Sequence, residues 1–337
     1  MKKIAAIAFL FFLAGVVILS SYAAIYLRTP PNEKGAGKTI TVQRGMTFRE
    51  VASLLEKEGI IRGIGRFVLL GKLWGAFPRV KAGEYELSPS MTPLQVLDAL
   101  TKGRVKHYKV SIPEGYTVRQ IAQFLEAEGI TEGEAFLEKC FSPQYASSLG
   151  VEAKSLEGYL FPDSYLLPKG LPPEDVTEMM VRQFRQVYTS QYSERSKELG
   201  FSDYQILILA SIIEKEAAIP EERFLVSSVY HNRLKRNMRL YSCPTVIYGM
   251  EDFAGNLTKE DLERYTPYNT YIIRGLPPGP ICNPGKEAIR AALYPAETNY
   301  LYFVSKNDGS HHFSATLKEH NIAVWKFQKT RSYRPKK

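Results

Sequence analysis

Apolar positions follow three different patterns along the chain. From Ile4 to Leu27 no residue is charged, and the stretch 4–19 reads IAAIAFLFFLAGVVIL. As a helix rising 1.5 Å per residue, this run spans about 36 Å, more than a bilayer core of roughly 30 Å. Residues 29–37, TPPNEKGAG, have no period and read as a linker. Apolar residues then return at helical spacing, first as Val51, Leu54, Leu55 and again as Ile121, Phe124, Leu125. Both sets belong to an internal repeat, TVQRGMTFREVASLLEKEGI at 41–60 and SIPEGYTVRQIAQFLEAEGI at 111–130. Each copy predicts a short strand, a glycine turn, and a helix capped by Thr47 or Thr117 and stopped by Gly59 or Gly129. Between the copies, 84–87 predicts a strand. Thr92 caps a helix that starts at Pro93 and ends at Gly103.

Segment 38–104 therefore reads β-α-(α)-β-α. Beyond Val105 the pattern predicts helices over 132–140, 173–189, 203–217, 221–236, 285–293 and 316–329, and strands over 106–112, 300–305 and 311–314. From 240 to 283 turn residues break every period, yet Tyr241, Tyr248, Tyr265, Tyr268 and Tyr271 argue for an ordered, functional stretch. The fold class is α+β. An N-terminal transmembrane helix (1–28, with its cytoplasmic stub) and a linker (29–37) lead to a small β/α module (38–104). A larger mixed α+β domain (105–331) and a basic tail (332–337) follow.

With 337 residues, 45% of them apolar, two separate cores are affordable. The formal net charge of +9 points to an anionic partner: a polyanion, a membrane surface or an acidic cell wall. No Arg-rich arm or nucleic-acid motif accompanies it, so nucleic acid is not expected. Lys2 and Lys3 before the apolar run place the N-terminus inside and the bulk outside, a single-pass inner-membrane topology. Arg28, Lys34 and Lys38 weaken that contrast. Ser21-Tyr22-Ala23 resembles a cleavage site, but the apolar run continues past it to Leu27, which favours an uncleaved anchor. Tyr22 and Tyr26 suit an interfacial belt. The three cysteines, Cys140, Cys243 and Cys282, match no zinc spacing; a Cys243–Cys282 disulfide is compatible with export and leaves one thiol free.

Helix 203–217 holds the most suggestive chemistry. Ser202 caps it, Ile206–Ile213 is apolar except for Ser211, and Glu214 follows on a stripe with Leu207 and Ser211. A carboxyl there is partly desolvated, which raises its pKa as a general acid requires; the plainer reading is the solvated end of a core helix. Glu216 lies about 200° round the helix and cannot share a reacting bond with Glu214. LEGYLFPDSYLLP (156–168) sets Glu157, Tyr159, Asp163 and Tyr165 along one extended segment, a cleft lining or an ordinary strand and turn. CPTVIYGM (243–250), with Thr245 and Tyr248, precedes YNTYIIRGLPPGPICNPG (268–285), where Asn269, Thr270 and Tyr271 offer amide, hydroxyl and phenol beside a rigid Pro/Gly loop. His312 and His320 do not form a ligand pair on one face, so neither metal nor other cofactor is expected.

The β-α-(α)-β-α order of 38–104 is similar to the glycan-binding LysM module. SIIEKEA, PTVIYGM, YNTY, GLPPGPI, NPG, YLYFV, HHFSATLKEHN and LEGYLFPDSY occur here in the order seen in the YceG-like family of endolytic murein transglycosylases, and the resemblance covers nearly the whole chain. It implies a membrane-anchored enzyme that cuts the MurNAc–GlcNAc β-1,4 bond of nascent peptidoglycan without water, leaving 1,6-anhydroMurNAc and ending or trimming strand growth. It matches Glu214 to the catalytic Glu. Glu157, Glu216, Tyr159, Thr245, Tyr248, Asn269, Thr270 and Tyr271 become the substrate-contact candidates. Partners implied are glycan strands, the cytoplasmic membrane, and peptidoglycan synthases or division proteins. A muramidase, which releases reducing ends, and a non-catalytic wall-binding scaffold are the rival readings.

Overall fold

The computed structural model describes residues 2–250, 253 and 255–330; the expected basic tail, 332–337, lies outside them. The chain divides into two compact units, Met1–Lys109 with Leu166–Leu171 and Val110–Tyr165 with Pro172–Lys337.

The first unit begins with α1 (Lys2–Arg28), in which Phe9–Arg28 has mean hydropathy 2.2 and no buried residue. That helix is long and apolar enough to cross a membrane. β1 (Lys38–Val42) pairs antiparallel with β2 (Gly83–Leu87), Ile40 opposite Tyr85, and buried residues alternate along both. Between them run α2 (Phe48–Lys57) and α3 (Ile64–Leu73), and α4 (Pro93–Lys102) follows. Thr47 and Thr92 each close a reciprocal capping box, with Glu50 and Gln95, while Gly59 and Gly103 adopt positive φ past the helix ends. Val51, Leu55, Phe67, Val96 and Leu100 bury this core.

β3 (Tyr108–Ser111) opens the second repeat copy. It leads into α5 (Val118–Ala127), α6 (Gly133–Cys140) and α7 (Pro143–Ser148), and pairs with β4 (Ser164–Leu167). Next come α8 (Pro173–Val187), α9 (Ser190–Glu198), α10 (Asp203–Glu216) and α11 (Arg223–Lys235). α12 (Cys243–Tyr248), α13 (Lys259–Glu263) and α14 (Lys286–Leu293) follow. The hairpin β5 (Tyr302–Ser305) and β6 (His311–Ser314) precedes α15 (Leu317–Val324), which widens into a π turn over Trp325–Lys329. α10 is the central element: every residue from Ile206 to Ile213 is buried. α14 packs on it, its Ala291, Ala292 and Leu293 in the same core; the two alanines are small enough to let the backbones approach.

Three sequence expectations change. α9, SQYSERSKE, buries only Ser196 and so offers no apolar period to read. The 156–168 segment is not extended throughout; turns dominate it and only Ser164–Leu167 is strand. No disulfide joins Cys243 to Cys282. All three cysteines are free: Cys282 is buried with its thiol on the Ser211 carbonyl, and Cys243 is exposed with Sγ 3.1 Å from the Tyr271 hydroxyl.

Candidate active site

The stripe Leu207, Ser211, Glu214 faces the segment 280–285. Ser202 anchors α10 at its start by a capping box with Gln205. Ser211 Oγ accepts from the Ile281 N–H at 3.0 Å, and one turn later Glu214 Oε2 accepts from the Gly285 N–H at 2.9 Å. The other oxygen, Oε1, receives Arg223 Nη2 at 3.0 Å from the first turn of α11. The same Nη2 lies 3.4 Å from Glu114 Oε2, and Arg223 Nε is buried without a partner. Glu114 sits on the turn before α5. The next residue's carbonyl, on Gly115, accepts from Lys215 Nζ at 3.3 Å.

This leaves the Glu214 side chain 6% exposed, Arg223 13% and Glu114 47%. Burial raises the Glu214 pKa above the ordinary carboxylate range; the Gly285 N–H and Arg223 pull it down, and Glu114 pushes it up. Without a Cβ, Gly285 leaves room for the Glu114 carboxyl, whose Oε1 would lie 1.9 Å from a Cβ built there and would have to swing aside. The site thus presents one desolvated carboxyl, both oxygens held, beside a second, exposed carboxyl on a shared arginine.

Glu157 lies at the centre of a separate buried network. Its oxygens accept from the Val118 N–H (3.1 and 3.2 Å), the Tyr248 hydroxyl (3.0 Å) and Asn283 Nδ2 (3.0 Å). Burial pushes its carboxyl up to about 8, against the lowering by these donors and by Arg119. Asn283 Oδ1 in turn accepts from the Gly158 and Leu160 N–H groups, each at 2.9 Å, and its Nδ2 also donates to the Tyr116 carbonyl. Glu157 and Tyr248 therefore meet each other. Among the described residues no hydrogen bond joins them to Glu214; the backbone of 114–118 and 283–285 links the two networks.

Glu216 faces the other way. Ser242 Oγ donates to its Oε1 at 2.6 Å, and burial raises its pKa while Ser242 and Tyr230 lower it. Thr245 and Thr270 complete this cluster, their hydroxyls 2.8 Å apart and both buried. Tyr271 packs edge-on against Tyr241.

Asn269 is fully buried. Its amide donates to the carbonyls of Asp261, Leu262 and Arg264 and its Oδ1 accepts from the Tyr271 N–H, so it clamps a loop and has no free group to offer a sugar. Tyr159 packs among Phe184 and Tyr204. His312 packs by Phe327 and His320 stacks on Tyr302. Among the described residues no group of three His, Cys, Asp or Glu could hold a metal.

Sequence reasoning missed Arg223, Glu114, Lys215, Asn283 and the Gly285 N–H. Asn283 and Gly285 carried a signal, the NPG that ends the Pro/Gly loop. Arg223 and Lys215 carried none: Lys215 reads as the solvated end of α10, and Arg223 is one of several cations of α11.

A sequence profile of the YceG-like family matches residues 40–326. An endolytic murein transglycosylase of Bacillus subtilis (strain 168) is 33% identical over 317 residues, 88% of this chain and 87% of that protein. One of Streptococcus pneumoniae serotype 2 is 31% identical over 320 residues, 85% of this chain but 57% of that longer protein. The crystal structure of a yceG-like protein from Listeria monocytogenes superposes with a TM-score of 0.60 at 33% identity, covering 86% of this chain and all of that one. By the extent and order of these matches, the chain belongs to the YceG-like family.

Proposed function

We propose that this chain is a membrane-anchored endolytic lytic transglycosylase that cuts the MurNAc–GlcNAc bond of peptidoglycan strands, with Glu214 as its one acid–base group. The observation that carries this reading is the desolvated Glu214 carboxyl, fixed at the end of the core helix by Gly285 and Arg223. The names of its relatives in Bacillus and Streptococcus supply the reaction class. Protonated, Glu214 donates to the glycosidic oxygen as oxocarbenium character develops at C1. The resulting carboxylate then takes the proton of the muramic C6 hydroxyl. That oxygen bonds to C1 and closes the 1,6-anhydro ring. Because the nucleophile belongs to the substrate, no second carboxylate has to activate water. Arg223 stabilises the carboxylate between the two steps, and Glu114 draws part of that arginine away so that Glu214 can hold its proton. Glu157 and Tyr248 act as supports for the 283–285 backbone. Glu216, Thr245, Thr270 and Asn269 act as supports for the loops beyond α10, and Tyr159 and Tyr271 remain the substrate-contact candidates.

α1 supports an inner-membrane anchor with the enzyme outside, which brings nascent strands within reach. Segment 38–104 is assigned as a LysM-like glycan-holding module and 105–331 as the catalytic domain; synthases and division proteins are the partners this placement suits. The test is mass spectrometry of purified peptidoglycan digested by the full chain in detergent, beside Glu214→Gln. Internal fragments with anhydro ends are expected, and turnover in the variant falls by about 10²–10⁴. Ends heavier by one water mean hydrolysis instead. Binding without any product means a scaffold.

A further inference from the structure

We infer that α3 is a bilayer-docking face, which seats the 38–104 module on anionic lipid beside the membrane-spanning helix. This rests on the anchor reading above. Arg66, Leu69 and Leu73 fall within about 60° of one another on α3. Arg66 grips the far end of α1: Nη1 is 3.0 Å from the Tyr22 hydroxyl and the guanidinium lies 4.8 Å over the Tyr26 ring. The stripe that meets the end of the membrane helix therefore continues into Leu69 (57% exposed), Leu73 (74%) and Trp74 (52%).

The neighbouring helix repeats the arrangement. Pro93, at the start of α4, shares a hollow with Tyr22 and Tyr26, and the next residue, Leu94, shares one with Trp74. The apolar patch is thus continuous with the end of α1 on two sides.

Charge selects the occupant. From Ile61 to Ala82 the chain carries Arg62, Arg66, Lys72, Arg79 and Lys81 and no acidic residue. The acids that face this region are already engaged: Glu56 accepts the Gly63 N–H, and Asp98 pairs with Lys102 and Arg104. Leucines and a tryptophan in a segment whose five cations have no ion pair among the described residues fit the boundary of acyl chains and anionic headgroups.

Trp74 and Trp325 are the two tryptophans of the chain, so each can report alone. The full-length Trp325→Phe and Trp74→Phe chains are reconstituted into vesicles of phosphatidylglycerol and phosphatidylethanolamine containing a brominated acyl lipid. Trp74 is expected to be quenched at least about twofold more than Trp325 and to resist aqueous acrylamide. Leu69→Ser with Leu73→Ser, both at exposed positions, should abolish the difference while the chain still floats with the vesicles. Equal quenching of the two tryptophans in a floating chain overturns the docking face and favours a protein partner, leaving the anchor intact. A chain that does not float overturns the anchor and the docking face together.

Discussion

The two copies of the repeat fold alike and are used differently. In both, a threonine closes a capping box (Thr47 with Glu50, Thr117 with Gln120) and a glycine in positive φ ends the helix. In both, a glutamate of that helix accepts an N–H four residues past the glycine, Glu56 from Gly63 and Glu126 from Gly133. The turns before the helices diverge. In the first copy Arg44 and Gly45 are exposed, and a Cβ on Gly45 would meet nothing within 4 Å. In the second, Glu114 shares Arg223 with Glu214, Gly115 lies against Glu214 and Lys215, and Val118 gives its N–H to buried Glu157. The lesson is that the scaffold carries no chemistry of its own; what lies beside its turn decides.

Glu157 is the partner the first copy lacks, so its removal separates the copies most sharply. Between an ordinary carboxylate value of 4.5 and about 8, the folded chain keeps the Glu157 proton and the unfolded chain has lost it. Stability therefore falls as pH rises through that window, by roughly 5 kcal/mol, and is flat outside it. In Glu157→Gln, denaturant titrations from pH 4 to 9 should show a curve without that fall. An unchanged curve would mean that the carboxyl is ionised throughout and held by its three donors.

The glycine turns give the next largest contrast. Gly45 and Gly115 have φ of 81° and 78°, so alanine at either strains the backbone by about 1–2 kcal/mol. Only at 115 does the new Cβ lie 3.5 Å from the Glu214 side chain. Gly115→Ala should lower turnover about tenfold, the equivalent of 1.4 kcal/mol, and Gly45→Ala should leave it unchanged. Equal losses would dissolve the distinction.

Thr47→Ala and Thr117→Ala probe what the copies share, and each should cost about 1 kcal/mol in a melting experiment. A marked inequality would show that one helix depends on its cap more than its twin does. The smallest effect is the most specific. Turnover requires protonated Glu214, so kcat/KM falls as pH rises through its raised pKa. Glu114→Gln removes a charge that raises that pKa and should move this alkaline limb down. Arg223→Gln removes one that lowers it and should move the limb up. Shifts in the same direction would remove the shared arginine from the mechanism.

Local order was legible in the sequence because local chemistry dictates it. The threonine caps, the stopping glycines, the buried run 206–213 and the Leu207–Ser211–Glu214 stripe are all written within a single turn or helix. What could not be read is what only long-range packing creates. Asn269 and Tyr271 look alike as polar groups on a loop, yet one clamps three carbonyls and the other reaches a cysteine thiol. Glu157 suggested a cleft lining, but its donors come from α5, α12 and the 283 loop. Arg223 and Glu114, 109 residues apart, carry no shared signal.

That separation also bears on when the enzyme comes into being. Val118 and Glu157 are 39 residues apart, Gly158 and Asn283 125, and Tyr116 and Asn283 167. Closing such loops is slow compared with forming the capped helices of the repeats, whose contacts are local. A chain emerging from its N-terminus can build both copies early, but the Gly285 N–H that fixes Glu214 arrives late. Glycan cutting is thereby deferred until almost the whole described chain has emerged and closed on itself. A partly emerged chain would carry the helix and the carboxyl but no finished acid.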